Sequence, residues 1–149
     1  MTCIQNQPED FATTALAGFS SIYARYVRPV RSGVVRSTAT PTTKVAVVVG
    51  GGSGHYPAFA GFVGPGLADA AVAGDVFASP SAHGVAHVCR MAHRGAGILL
   101  GFGNYAGDVM NFGLAGERLI SEGIDVRILN VTDDVASAPA DQPAKRRGV

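Results

Sequence analysis

Apolar residues along the chain form short runs that alternate with segments of helical periodicity. Residues 44–49 are an almost continuous β-branched run, which is typical of a strand buried on both faces of a sheet. Three further apolar runs predict strands at 68–74, 96–102 and 125–131. Each of these strands is followed by a loop or by a segment with helical spacing.

The first helix is predicted near the start of the chain and is expected to reach about Tyr26. A capping side chain is followed by a proline and by acidic residues at the positive end of the helix dipole. These residues are Asn6, Pro8, Glu9 and Asp10.

A second helix is predicted over residues 79–94, with Ser79 as its cap and Pro80 in its first position. Its apolar residues follow the i, i+3, i+4, i+7 spacing of one buried face, namely Val85, Val88, Cys89 and Ala92. A third helix is expected over 108–122, where Gly123 ends it, and a short helix over 57–63.

The repeated order of strand, loop and helix predicts an α/β fold, with a parallel or mixed sheet and flanking helices. The length of 149 residues corresponds to one domain. Residues 31–43 are rich in Ser, Thr and Gly and are expected to connect two elements, whereas residues 135–149 lack periodicity and are expected to be irregular.

Composition and charge narrow the classes of function. Charged residues make up 15% of the chain, so either the buried fraction is large or part of the surface is meant for a partner. A net charge of +1 gives no reason to expect a nucleic acid or a membrane as partner, and the basic run 145–147 is too short to be a binding patch. With no apolar run of about 18 residues, no secretory signal and two isolated cysteines, Cys3 and Cys89, a cytoplasmic protein is expected.

The strongest candidate for chemistry is the loop that follows the first strand, Gly50-Gly51-Gly52-Ser53-Gly54-His55. Glycine lets backbone N–H groups approach a ligand, and an imidazole exchanges protons near neutral pH. A small-ligand site, a structural turn and a nucleotide loop are all open readings. The spacing matches neither the dinucleotide fingerprint nor a phosphate loop with its lysine, which disfavours the third.

A second candidate loop runs from Gly103 to Asp108, after the strand at 96–102. If the two strands are neighbours, His55 and Asp108 would face one pocket at the carboxyl edge of the sheet. The alternatives are a histidine packed in the core and an acidic residue that favours a helix start. Asp75 follows another strand and is a weaker candidate for the same pocket.

A metal site is not expected. His83 and His87 have i, i+4 spacing, but no glutamate lies between them and no third ligand is evident, so a solvated helix face is the favoured interpretation.

The chain resembles the substrate-binding part of dihydroxyacetone kinases, through the run GGGSGHYPAFAGFVGPGLADAAVAGDVFASPSAHGV, followed by GNYAGDVMNFGLAGERL and VTDDV. The likeness extends over nearly the whole chain, and motifs in this order and spacing are specific to that family. It implies a cytoplasmic kinase that phosphorylates a small ketose, and a homodimer in the complete protein.

The resemblance also implies roles for particular residues. Gly52, Ser53, Gly54 and His55 match the loop that contacts the ketose, with His55 as the proton acceptor, and Asp108 matches the residue that holds a hydroxyl. ATP with Mg²⁺, or a phosphorylated carrier subunit, would supply the phosphoryl group from a separate domain or subunit, so no cofactor is expected in this chain.

Two positions depart from the commoner family motif. Tyr56 stands where glutamate is usual, and Gly103 stands where lysine often precedes Asn-Tyr. Both changes resemble the erythrulose-kinase branch, and loss of the lysine is expected to open space for a four-carbon ketose.

The family continues well beyond the Arg-Arg-Gly segment at 146–148. The histidine that holds the ketose covalently as a hemiaminal, and the nucleotide-binding domain, have no counterpart in these residues. The chain is therefore expected to be the N-terminal part of a substrate-binding domain, truncated and inactive by itself. The alternative is a truncated relic, or a non-catalytic protein with a ketose-binding or regulatory role.

Overall fold

Six strands form one mixed sheet in the computed structural model, which describes residues 7–55 and 57–148. The order across the sheet is β1-β2-β4-β3-β5-β6. The strands are β1 (Val27–Val30), β2 (Gly33–Arg36), β3 (Ala46–Gly51), β4 (Ala70–Ala73), β5 (Ile98–Gly103) and β6 (Val126–Val131). Strands β4, β3, β5 and β6 are neighbours in this order and run parallel, while β1 and β2 add an antiparallel hairpin at one edge.

Helices cover both faces of this sheet. Helices α2 (Ala82–Ala92) and α3 (Ala106–Ser121) pack on one face and bury the larger core, which includes Leu100 and Phe112. Helix α1 (Phe11–Ile22) packs on the other face, where a second apolar cluster forms. Single 3₁₀ turns occur at Pro8–Asp10, Ser53–His55, Ala60–Phe62 and Pro143–Lys145. The predicted α/β fold with a parallel or mixed sheet is confirmed.

The hairpin of β1 and β2 corrects two sequence predictions. The first helix ends at Ile22 rather than near Tyr26, and the segment 31–43 is not all connector because β2 lies within it. Gly33 explains why composition misled: a Cβ there would lie 2.1 Å from the carbonyl oxygen of Ala71. The glycine that suggested a loop is instead needed for close contact between two strands. The proposed cap Asn6 lies outside the described residues.

The starts of α2 and α3 also differ from prediction. Ser81, not Ser79, caps α2, because its side chain accepts a hydrogen bond from the backbone N–H of Gly84 at 3.1 Å. Helix α3 begins at Ala106, two residues before Asp108. The short helix expected at 57–63 is the 3₁₀ turn Ala60–Phe62. Cys89 lies in the core as predicted, where burial raises the pKa of its thiol to about 12.

The segment after β6 folds back over the carboxyl edge of the sheet. The side-chain amide of Asn104 donates to the carbonyl oxygen of Arg146 at 2.8 Å, and the N–H of Asp134 donates to that of Arg147 at 2.9 Å. Gly148 lies so close to β5 that a Cβ would be 2.5 Å from the Cα of Gly103. This segment therefore lies beside the candidate site.

One carboxylate at the opposite edge is fully buried. Asp69 precedes β4, is 0% exposed, and forms ion pairs with Arg36 of β2 and with Lys44 just before β3. It also accepts the backbone N–H of Val47 at 2.8 Å. Three strands are thus joined through one side chain. Within residues 7–55 and 57–148, no helix has the length and apolar character needed to cross a membrane.

Candidate functional site

The two candidate loops lie side by side because their strands are neighbours. Strands β3 and β5 are parallel, with Gly50 opposite Phe102, so both chains leave the sheet at the same edge. The strand pairing on which that expectation depended is therefore present, while a shared pocket for His55 and Asp108 stays a prediction. Ligands of open α/β sheets bind at such carboxyl ends.

The glycine loop is held by backbone contacts with the turn that follows β4. The N–H of Ser53 donates to the carbonyl oxygen of Asp75 at 3.0 Å, and its hydroxyl donates to that of Gly74. A Cβ on Gly52 would lie 3.3 Å from backbone atoms of Ala78 and Asp75. The loop is thus fixed close to another chain segment, which only glycine allows without adjustment.

His55 ends the 3₁₀ turn of this loop, and its imidazole lies between two aromatic rings. The ring centroid of Phe59 is 5.9 Å away, and that of Tyr105 is 5.7 Å away. The side chain is half-buried. Sequence reasoning missed both aromatic neighbours, although each lies within the motifs that carried the resemblance. Their rings limit the directions in which the imidazole can turn.

Asp108 lies in the first turn of α3 and is only 6% exposed. Burial raises the pKa of its carboxyl group, while a hydrogen bond from Ser79 and the attraction of His55 act in the opposite direction. The structure therefore brings Asp108 and His55 together. Among the described residues, the Oδ1 atom of Asp108 has no hydrogen-bond partner.

An unpaired buried oxygen beside an imidazole indicates a site for a hydroxyl compound. Leaving a buried acceptor unsatisfied costs about 1–3 kcal/mol, so a ligand O–H that reaches Oδ1 recovers this cost. The neighbouring imidazole can accept a proton from such a hydroxyl. The arrangement thus offers one acceptor and one base to a small compound that carries a hydroxyl group.

The surroundings of Gly103 are close-packed next to the backbone. A Cβ at this position would lie 3.2 Å from the ring of Tyr105 and 3.4 Å from the backbone of Gly148. The expectation that loss of the lysine opens space for a four-carbon ketose concerns the space farther from the backbone and stays a prediction. Gly103 allows the Tyr105 ring and the returning segment to pack against β5.

The other candidates lie apart from this arrangement. Asp75 contributes its backbone carbonyl to the glycine loop, while its carboxylate is exposed and accepts the N–H of Val76 at 2.7 Å. His83 is exposed on α2 and His87 is half-buried. In the part of the chain that the structure describes, no group of three or more His, Cys, Asp or Glu side chains could hold a metal ion.

The fold defines an α/β protein whose candidate loops lie at the carboxyl edge of its sheet, and comparisons with known proteins give its family. The model of the Dak1 domain matches residues 17–149, so the chain belongs to the Dak1 domain family. The predicted resemblance to dihydroxyacetone kinases is confirmed.

Relatives include a D-erythrulose kinase of Mycolicibacterium smegmatis, 58% identical over all 149 residues, and an L-erythrulose kinase of Pectobacterium atrosepticum, 57% identical. The dihydroxyacetone-binding subunit DhaK of a PTS-dependent dihydroxyacetone kinase from Lactococcus lactis is 42% identical over 98% of the chain, which covers 44% of that subunit. The chain spans about a quarter of the two erythrulose kinases, 26% and 25%.

Solved structures agree with this assignment. The dihydroxyacetone kinase of C. freundii, crystallised with AMP-PNP and Mg²⁺, matches 99% of this chain with a TM-score of 0.84 and 37% identity; the match covers 27% of that kinase. A dihydroxyacetone kinase operon co-activator, DhaQ, matches 91% of this chain and 42% of its own, with a TM-score of 0.81 and 30% identity.

Proposed function

We propose that this chain is the N-terminal, substrate-binding part of a cytoplasmic, homodimeric ketose kinase. The observation that supports it most is the buried, unpaired Oδ1 atom of Asp108 beside His55. In this proposal, Asp108 accepts a hydrogen bond from one hydroxyl of the ketose. Gly52, Ser53 and Gly54 surround the substrate with backbone groups, and His55 accepts a proton.

The proposed reaction needs one proton transfer, from the ketose to this part of the protein. The ketose O–H bond breaks as its oxygen bonds to the donor's phosphorus, and the imidazole of His55 takes the proton. The bond between that phosphorus and the donor would break at the same time, and its electron pair would leave with the donor. The aromatic rings of Phe59 and Tyr105 hold the imidazole in place. Fixed positions of hydroxyl and base lower the entropic cost of the step.

The residues described here do not fit a nucleotide or its metal ion. The glycine loop has no lysine for phosphates, and no cluster of metal ligands is present in residues 7–55 and 57–148. ATP with Mg²⁺, or a phosphorylated carrier subunit, would supply the phosphoryl group from another domain or subunit. Exposed apolar residues on α3 and β6 support the presence of another domain or subunit that covers this surface. These residues are Met110, Leu114, Ile120, Ile128 and Leu129.

Erythrulose is the ketose that the comparisons favour. Relatives named as erythrulose kinases are 54–58% identical, whereas the lactococcal DhaK subunit is 42% identical. We expect the complete gene product to turn over erythrulose with a higher kcat/KM than dihydroxyacetone. Steady-state assays with both ketoses measure this, and a clear preference for the three-carbon ketose would contradict it.

A ketose-binding regulator is the second candidate function. It is supported by the similarity to DhaQ, a co-activator of a dihydroxyacetone kinase operon. Under this reading the chain binds a ketose without transferring phosphate. Assay of the complete gene product with ATP–Mg²⁺, and separately with a phosphorylated carrier subunit, distinguishes the two functions. Residues 1–149 alone are expected to be inactive in either assay.

Substitution of Asp108 by alanine tests the binding site directly. Loss of the charged acceptor should raise the Kd for erythrulose by about tenfold or more, as expected for a hydrogen bond to a charged group. Since burial raises the pKa of Asp108, its charge costs stability at neutral pH, and the variant should melt at an equal or higher temperature. Calorimetric titration and thermal melts measure both effects.

The exposed His83 provides the matched control, because His83→Ala should change neither quantity. These measurements use the complete gene product, and its failure to bind either ketose would contradict the proposed function. Equal affinities of wild type and Asp108→Ala would contradict the role given to the carboxylate.

A further inference from the structure

Two polar residues beside Asp108 have not been given a role. Ser79 lies in the loop between β4 and α2, and Asn111 lies one turn after Asp108 on α3. Both are half-buried. The side-chain amide of Asn111 donates to the hydroxyl oxygen of Ser79 at 3.3 Å. This contact joins the loop to the helix that carries the carboxylate.

Packing fixes the position of the Ser79 side chain. A Cβ on Gly107 would lie 3.1 Å from the Cβ of Ser79, so the serine sits directly against the first turn of α3. On the other side, the loop backbone packs on Gly74, where a Cβ would be 2.9 Å from the Ser79 carbonyl carbon. The backbone and Cβ of Ser79 are thus held close to the residues that precede Asp108 on α3.

That single proton has two possible acceptors. The carbonyl oxygen of Pro80 is 3.2 Å from the Ser79 hydroxyl, and the carboxylate of Asp108 is the other partner. A hydrogen bond to a carboxylate is roughly twice as strong as one to a neutral carbonyl. Because the Asn111 amide donates to the hydroxyl oxygen, it leaves the Ser79 proton to be donated onward.

We propose that Asn111 and Ser79 are positioning residues that act in series on Asp108. The amide of Asn111 orients the Ser79 hydroxyl, and the hydroxyl holds one carboxylate oxygen. The other oxygen, Oδ1, has no partner among the described residues and remains available to accept from the ligand. The binding part of this inference rests on the proposed function, in which Oδ1 accepts a ketose hydroxyl.

The test uses the complete gene product with Ser79→Ala, Asn111→Leu and the double variant that carries both changes. Carbon-13 NMR of the Asp108 carboxyl group, without ligand, gives its pKa in each protein. Loss of the donated hydrogen bond should raise this pKa in both single variants. Since Asn111 acts through Ser79, the double variant should shift no further than Ser79→Ala alone.

Erythrulose affinity provides the second readout. The Kd should rise about tenfold in Ser79→Ala, and less in Asn111→Leu, whose leucine is similar in size but carries no donor. The control is Ser121→Ala at the far end of α3, where the hydroxyl bonds only to the Arg118 carbonyl oxygen among the contacts described. It should leave both the Asp108 pKa and the Kd unchanged.

The outcomes separate this inference from the proposed function. If the Asp108 pKa shifts of the two single variants add up in the double variant, Asn111 does not act through Ser79. An unchanged Asp108 pKa in Ser79→Ala would likewise overturn the proposal. Variants that only lose stability would lower the melting temperature without moving the carboxyl pKa, which also contradicts it. If the complete wild-type protein binds no ketose, the proposed function fails, while the ligand-free pKa series still decides whether Asn111 and Ser79 act on Asp108.

Discussion

Replacement of Asp69 by alanine should lower the free energy of unfolding by about 3 kcal/mol, the lower end of the range for breaking a buried ion pair. The carboxylate is 0% exposed, and its loss leaves Arg36, whose side chain is 11% exposed, without its partner. Lys44 is 35% exposed and can turn toward water, which is why we expect the lower end. Urea denaturation of both proteins measures the difference.

Acid should reduce the stabilisation that the ion pairs of Asp69 provide. Burial alone would raise the pKa of Asp69, but hydrogen bonds from Lys44, the Val47 N–H and Arg36 outweigh it and lower the pKa below 3.8. A group whose pKa is lower in the folded than in the unfolded protein stabilises the fold at pH values above its unfolded-state pKa. This stabilisation is lost as the pH falls through its folded-state pKa. Wild-type stability should therefore fall below about pH 4 more steeply than that of Asp69→Ala.

Asp125→Ala provides the matched comparison. Asp125 pairs with Arg127 at 3.3 Å, but the two side chains are 72% and 80% exposed. An exposed pair contributes about 0–1 kcal/mol, so this variant should unfold almost like wild type. A loss below 1 kcal/mol in Asp69→Ala would show that the three strands are not held by this carboxylate.

The parallel part of the sheet could be predicted from the sequence because its strands are buried on both faces. The run at 44–49 and the later apolar runs have no competing interpretation once helices separate them. The β1–β2 hairpin could not be predicted. Its turn residue Ser32 adopts φ +67°, and Gly33 is required by the neighbouring strand, and neither property is visible in local composition.

The candidate site was predicted in part. His55 and Asp108 follow strands, so their shared edge depended only on the strands being neighbours. The aromatic rings around His55 and the hydroxyl beside Asp108 depend on how loops fold over that edge. Ser79 appeared to be a helix cap because it precedes a proline, yet Ser81 caps α2 and leaves Ser79 free to contact α3. Such loop contacts are long-range and have no periodic signal.

Replacement of His55 by alanine should have the largest effect on activity. In the complete gene product, loss of a positioned general base should lower kcat by about 10²–10⁴-fold. Removal of the imidazole leaves the rings of Phe59 and Tyr105 facing an unfilled space, but it does not remove Asp108. The Kd for erythrulose should consequently change much less than kcat, and steady-state and binding measurements together show this separation.

The contrast between two variants then decides what the histidine does. His55→Ala should retain ketose binding and lose phosphoryl transfer, whereas Asp108→Ala should lose binding first. Added imidazole should restore part of the activity of His55→Ala, because a free base can enter the space left by the side chain. His83→Ala, on the exposed face of α2, should behave as wild type throughout. Equal loss of binding in both site variants would show that His55 holds the ketose rather than accepting its proton.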